Sequence, residues 1–135
     1  MLPLSAINLA RFVKEPFNSK ARIDPDLLRE VVHAAIRFMD NVIDTTLYPL
    51  KDQFREEQAK RRIGLGITGL ANMLDQLGIQ YGSPDAIEKT EEVMRSIAIH
   101  AYTASIELAE DRGAFPSFNH RHHSSVPSWR RYSLG

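Results

Sequence analysis

The chain has 135 residues, 17 basic against 17 acidic side chains, 43% hydrophobic residues and no cysteine. That is one domain of ordinary globular composition, not a disordered chain, and its zero net charge leaves no electrostatic footprint for nucleic acid or an anionic membrane. No apolar run approaches the roughly 18 residues needed to cross a bilayer, and the lack of cysteine excludes disulfides, thiolate metal sites and thiol nucleophiles.

Met1-Leu2-Pro3-Leu4 has no basic region before it and is soon interrupted by Asn8 and Arg11, so it does not read as a secretory signal and the cytoplasm is the expected location. Residues 1–13 are short and apolar, and Pro16 and Asn18 turn residues 14–23 into a loop. Asp24 then caps a helix with Pro25 at its first position, where the missing N–H costs nothing. Leu27, Leu28, Val31, Val32, Ala35, Phe38, Met39, Val42 and Ile43 give it one wide apolar stripe, ending near Thr45–Tyr48 before Pro49.

Lys51 to Arg62 is densely charged, with Glu56/Lys60 and Glu57/Arg61 spaced to pair along an exposed helix. Ile63 to Leu70 is apolar and glycine-rich and reads as a short strand entering a turn, orphaned for want of a visible partner. Leu70, Met73, Leu74 and Leu77 make a short helix stopped by Gly78. Ser83-Pro84 opens the last long helix, with Val93, Met94, Ile97, Ala98, Ala101, Ser105, Leu108 and Ala109 as its buried face and Gly113 as its stop. Phe115-Pro116-Ser117-Phe118 is expected to be extended, and residues 119–135, basic and serine-rich, to form a loosely ordered tail.

As isolated motifs, the candidate sites are thin. Gly64-Leu65-Gly66-Ile67-Thr68-Gly69 matches G-x-G-x-x-G, but Lys60-Arg61-Arg62 occupies the place of the strand a dinucleotide site needs. The acid expected about twenty residues on has only Asp85 as candidate, so Gly64, Gly66 and Gly69 read instead as a structural corner of close backbone packing. Glu30 and His33 have the E-x-x-H spacing of carboxylate-bridged di-iron bundles, yet His100 has Ile97, not an acid, at that offset, so there is no second copy and no metal is expected. Asp40 and Asp44 lie four apart, as two metal ligands on one helix face could, but are expected instead to solvate the outer face. His120, His122 and His123 form a small cluster that could pick up a transition metal adventitiously but is expected to be a solvated tail, and Ser5, Ser83, Ser96 and Ser105 lack a nucleophile-elbow context.

Taken together, the segments form an ordered set. It runs Ser5-Ala6-Ile7-Asn8-Leu9-Ala10-Arg11-Phe12-Val13, Asp40-Asn41-Val42-Ile43-Asp44, Tyr48-Pro49-Leu50, then Arg61-Arg62-Ile63 through the glycine corner to Leu70-Ala71. Leu77-Gly78, Tyr81-Gly82-Ser83, Ala101-Tyr102 and Arg112-Gly113-Ala114-Phe115-Pro116-Ser117-Phe118 follow. The set resembles the catalytic, large chain of ribonucleotide reductase, in its adenosylcobalamin-dependent class, over residues 4–118.

The resemblance implies a mainly α fragment, with two long helices, short helices and one or two short strands, of a ten-stranded α/β barrel. It implies an oxidoreductase removing the ribose 2′-hydroxyl by radical chemistry for DNA synthesis. Nucleotide effector, ribonucleotide substrate, adenosylcobalamin and a possible homodimer would belong to the intact enzyme. The family's radical-forming cysteine, in Asn-x-Cys-x-Glu, would precede Met1, and a redox cysteine of the family would fall at Leu2. No catalytic residue therefore carries over, and Leu4 and Ser5 would line the substrate pocket. Residues 1–118 would be part of the barrel domain, with the rest of the parent chain as their partner and neither nucleic acid nor membrane involved. The chain alone is expected to be inactive, and the alternative is a stand-alone helical binding or regulatory module derived from the reductase.

Overall fold

The computed structural model describes residues 2–118; the tail expected beyond them lies outside the described residues. In chain order it contains strands β1 (Leu4–Asn8), β2 (Val13–Lys14) and β3 (Arg22–Ile23), helices α1 (Pro25–Thr45) and α2 (Lys51–Lys60), strand β4 (Gly64–Thr68), and helices α3 (Leu70–Gln76) and α4 (Pro84–Arg112). A 3-10 turn, Leu9–Phe12, follows β1.

The strand expected to be an orphan has a partner. β4 pairs with β1 in parallel, Leu4 opposite Gly64 and Asn8 opposite Thr68. Two helices and more than fifty residues separate the two strands, so no hairpin turn signals the pairing, and β1 hides within an apolar stretch too short to show a clear period. The loop at 14–23 is likewise bounded by a two-residue antiparallel pair, Val13 opposite Ile23 and Lys14 opposite Arg22.

Both long helices start as their caps dictate. The Leu27 amide donates to Asp24 Oδ1 at 3.3 Å and the Ala86 amide to Ser83 Oγ at 3.1 Å, with proline at the first helical position in each. Leu28, Val32, Ile36, Met39 and Ile43 of α1 are buried, each contributing about 1.5–3 kcal/mol by leaving water. Leu27 and Phe38, expected on that stripe, are exposed, because the buried face is narrower than the apolar one. In α4 the buried line is Ala86, Val93, Ile97, Ala104 and Leu108, while Met94, Ser105 and Ala109 point outward, against expectation. The α4 sequence is apolar on more than one side, so its periodicity could not say which side α1 would cover.

α1 and α4 run side by side in the same direction, with Arg37 Nη2 3.0 Å from Asp111 Oδ2 and His33 Nδ1 3.2 Å from Glu107 Oε2. Ile7, Leu9 and Phe12 join the core together with Met73 and Leu74 of α3. Phe115–Phe118 is a turn and not an extended segment. The Phe118 amide donates to the Phe115 carbonyl at 2.8 Å, the two rings meet edge to face at 5.5 Å, and the Ser117 amide donates to Ala59 O at 2.9 Å, docking the turn on α2.

Candidate functional site

The β1–β4 pair has two unlike faces. Alternation sends Ser5 and Ile7 to one side, where Ile7 is buried in the core with Leu65 and Ile67 packed against it. It sends Leu4, Ala6 and Asn8 to the other, and all three are exposed, Leu4 at 75%. Leu4 and Ser5, expected to line one pocket, therefore lie on opposite faces of the strand. The register places Gly64, Gly66 and Thr68 beside Leu4, Ala6 and Asn8, so the open face carries little more than backbone between an apolar end and a polar one.

The three glycines of the corner differ in what holds them. A Cβ at Gly64 would lie 2.6 Å from Leu4 Cδ2, and one at Gly66 would make only an ordinary contact of 3.6 Å with Ser5 O. Gly69 takes φ +71, and a Cβ there would come within 2.3 Å of Asn8 Oδ1. That oxygen accepts from the Ala10 amide at 3.1 Å, so Gly69 lets the end of β4 approach the residue that caps the turn after β1. The G-x-G stretch lies inside the strand itself, and α3, entered through Gly69, has no side-chain cap.

At the far end of the helices, Asp40 and Asp44 do not solvate an outer face. Arg61, in a left-handed turn at φ 44 just after α2, folds its guanidinium onto both. Nε lies 2.8 Å from Asp40 Oδ1, Nη1 2.7 Å from Asp44 Oδ1, and Nη2 3.0 Å from the Asp40 carbonyl. Arg112 Nη1 takes the other Asp40 oxygen at 2.6 Å and its Nη2 reaches Asn41 Oδ1 at 2.7 Å. The expected Glu57/Arg61 side-chain pair is absent because the left-handed turn swings the guanidinium toward α1; only the Arg61 amide stays with Glu57 O, at 2.8 Å. Lys60 and Glu56 do pair, at 2.6 Å. The side chains of Arg61 and Asp40 are 19% and 14% exposed, so the charges reinforce each other with little screening. The Arg61 hydrogen bonds hold the Asp44 carboxyl below its usual range, and the two carboxylates raise the Arg61 guanidinium further.

The E-x-x-H helix face meets α4. His33, with Nδ1 3.2 Å from Glu107 Oε2, has its ring centre 6.0 Å from that of His100. Burial lowers the His100 pKa, and the nearby charges of His33 and Arg29 lower it further. Among the described residues no three His, Asp or Glu side chains converge as a metal-ion set. His120, His122 and His123 lie outside the described residues. Ser83 serves as the α4 cap, and Tyr81 and Tyr102 are exposed at the surface. A cleft of about 150 Å³ borders His33, Arg37 and Glu107, and an apolar groove of about 400 Å³ runs between α3 and the start of α4. No helix among the described residues is long and apolar enough to cross a membrane.

Residues 3–133 match the family model of the ribonucleotide reductase barrel domain. The chain is 46% identical over 115 residues to a vitamin B12-dependent ribonucleoside-diphosphate reductase of Mycobacterium tuberculosis, and 42% identical over 115 residues to one of Thermoplasma acidophilum. It is 36% identical over 115 residues to a ribonucleoside-diphosphate reductase large subunit of African swine fever virus. Each match takes in 85% of this chain, but only 16%, 14% and 14% of those proteins' own lengths.

Proposed function

The chain belongs to the ribonucleotide reductase barrel-domain family, and on that premise we propose that it supplies scaffold and one wall of the substrate pocket in a ribonucleoside-diphosphate reductase. In this reading β1 and β4 are neighbouring strands of a ten-stranded α/β barrel, with α1 and α4 packed on its outside. The observation that carries it is the asymmetry of the strand pair. Parallel strands are normally covered on both faces, and here helices and core cover one while Leu4, Ala6 and Asn8 leave the other bare. A bare face opposite the helices is what a barrel too wide for its own side chains to fill turns inward, toward a ligand.

On that face Leu4 meets substrate directly, and Ser5, turned toward the packed side, backs the wall from behind. Asp40, Asp44, Arg61 and Arg112 lock the chain just ahead of β4, so the strand enters the wall at a fixed height. The reaction exchanges the ribose 2′-hydroxyl for hydrogen in ribonucleotides destined for DNA synthesis, in the cytoplasm, with nucleotide effector and a second copy engaged by the intact enzyme.

The thiol chemistry comes from elsewhere in the polypeptide. Reduction by thiyl radical and dithiol needs sulfhydryl groups, and the 4 methionine thioethers of this chain can neither carry a thiyl radical nor close a disulfide. The vitamin B12 cofactor, adenosylcobalamin, would initiate the radical. The residues described here do not fit it: neither cleft, at about 150 and 400 Å³, can enclose a corrin ring, and no step is assigned to it.

Incubating the purified chain with a labelled ribonucleoside diphosphate, adenosylcobalamin, effector nucleotide and a dithiol tests the division of labour. No deoxyribonucleotide is expected. Product above a heat-killed control that survives further purification would overturn it and direct attention to Tyr81 or Tyr102 as radical carrier.

A further inference from the structure

Gly64 lies directly across from Leu4 in the strand pair. Its backbone does not demand glycine, since it is not among the residues with positive φ. What demands glycine is space: a Cβ at this position would stand 2.6 Å from Leu4 Cδ2, closer than real contacts allow. Leu4 thus lies over its neighbour strand, in the volume that any side chain at position 64 would fill, although Leu4 is 75% exposed and has open space on its other sides.

The contrast with the next pair is informative. Gly66, opposite Ala6, leaves a Cβ only ordinary contacts, so nothing there is pushed or held. The open face therefore has one shaped feature at this end, the leucine lying across a glycine.

We propose that Gly64 is a positioning residue: it sets the pose of Leu4 and so shapes the apolar wall that the base or sugar of a ribonucleotide meets. This rests on the reading of the open face as the substrate side. The colliding atom is the far end of a flexible, exposed side chain and not backbone. A methyl at position 64 therefore displaces Leu4 and leaves the fold intact, which separates positioning from structural support.

Two measurements test it. In the 135-residue chain, Gly64→Ala is expected to leave the unfolding temperature nearly unchanged while moving the Leu4 δ-methyl carbon shifts, which report its rotamer. The second uses the Mycobacterium tuberculosis reductase with its matching residues replaced by those of this chain from Leu4 onward, the reductase's own residue being kept opposite Leu2. There Gly64→Ala is expected to raise KM about tenfold with kcat changed by less than about twofold, as loss of one apolar contact does. Leu4→Ala should raise KM comparably, and adding Gly64→Ala to it should raise KM no further. Unmoved Leu4 methyls, an unchanged KM in Gly64→Ala, or additive effects of the two substitutions would overturn the proposal. Should Leu4→Ala itself leave KM unchanged, the substrate-side reading fails and the positioning role falls with it. A response to Leu4→Ala alone defeats only the role of Gly64.

Discussion

Arg61 reaches 21 residues back along the chain to Asp40, its Nε 2.8 Å from Oδ1, and Arg112 occupies the other oxygen of the same carboxylate. One acid from the last turns of α1 thereby ties the residue after α2 to the final residue of α4. The strand that begins at Gly64 inherits its position from that knot.

Arg61→Ala removes the fork and leaves Asp40 and Asp44 close together with less compensation. It should cost about 2–4 kcal/mol, toward the low end of what breaking a buried pair costs, because Asp44 is half exposed. Arg61→Lys keeps the charge but loses the paired geometry and should cost about 1–2 kcal/mol. Urea unfolding of the two variants beside the parent chain measures both. Equal stability of all three would mean that the knot is decorative.

Acidification should weaken the α1–α4 seam in two stages. His100 is held below the ordinary imidazole value by burial first and then by the charges of His33 and Arg29, so the folded state favours its neutral form. That contribution is complete above the unfolded pKa of about 6.5 and is lost as pH falls through the lower folded value. Asp44 is held below the carboxylate range by Arg61, so its contribution is complete above about pH 4 and disappears as pH falls through the lowered value. Unfolding curves across pH 7 to 3 should therefore lose stability first in His100's window and then in that of Asp44. His100→Phe should flatten the first stage, and Arg61→Ala should reduce the second, leaving the part that Asp24 with Lys14 and Glu56 with Lys60 contribute. A first stage unaltered in His100→Phe would contradict the assignment.

The helices were legible in the sequence because their punctuation is local. Asp24-Pro25 and Ser83-Pro84 mark starts, Gly78 and Gly113 mark stops, and the side-chain caps form as those residues imply. What could not be read is whatever depends on distant segments. The β1–β4 pairing joins residues across two helices, and the burial of Met94 or Leu27 depends on which side a partner helix covers. The Arg61 knot depends on a single left-handed residue, which turned an apparent Glu57 partner toward Asp40 and Asp44. For the candidate site, the family resemblance nominated Leu4 and Ser5 together, and strand alternation, which no local motif reveals, puts them on opposite faces.

Gly69 and Gly82 offer a controlled comparison. Both have positive φ, +71 and +80, but a Cβ at Gly69 meets Asn8 Oδ1 at 2.3 Å and one at Gly82 meets nothing. Gly82→Ala should cost about 1 kcal/mol from backbone strain alone. Gly69→Ala should cost about 2–3 kcal/mol, since it also displaces the Asn8 cap of the turn after β1. Thermal unfolding of the pair checks the difference, and Asn8→Ala should recover part of the loss at Gly69 but none at Gly82.

Whether this chain is a working slice of a reductase barrel is decided by turnover of the Mycobacterium tuberculosis reductase carrying this chain's residues from Leu4 onward in place of its own matching ones, with the reductase's own residue kept opposite Leu2. B12-dependent conversion of ribonucleoside diphosphate to deoxyribonucleoside diphosphate is expected. A hybrid that folds, shown by a cooperative unfolding transition like the parent's, yet forms no deoxyribonucleotide would contradict it.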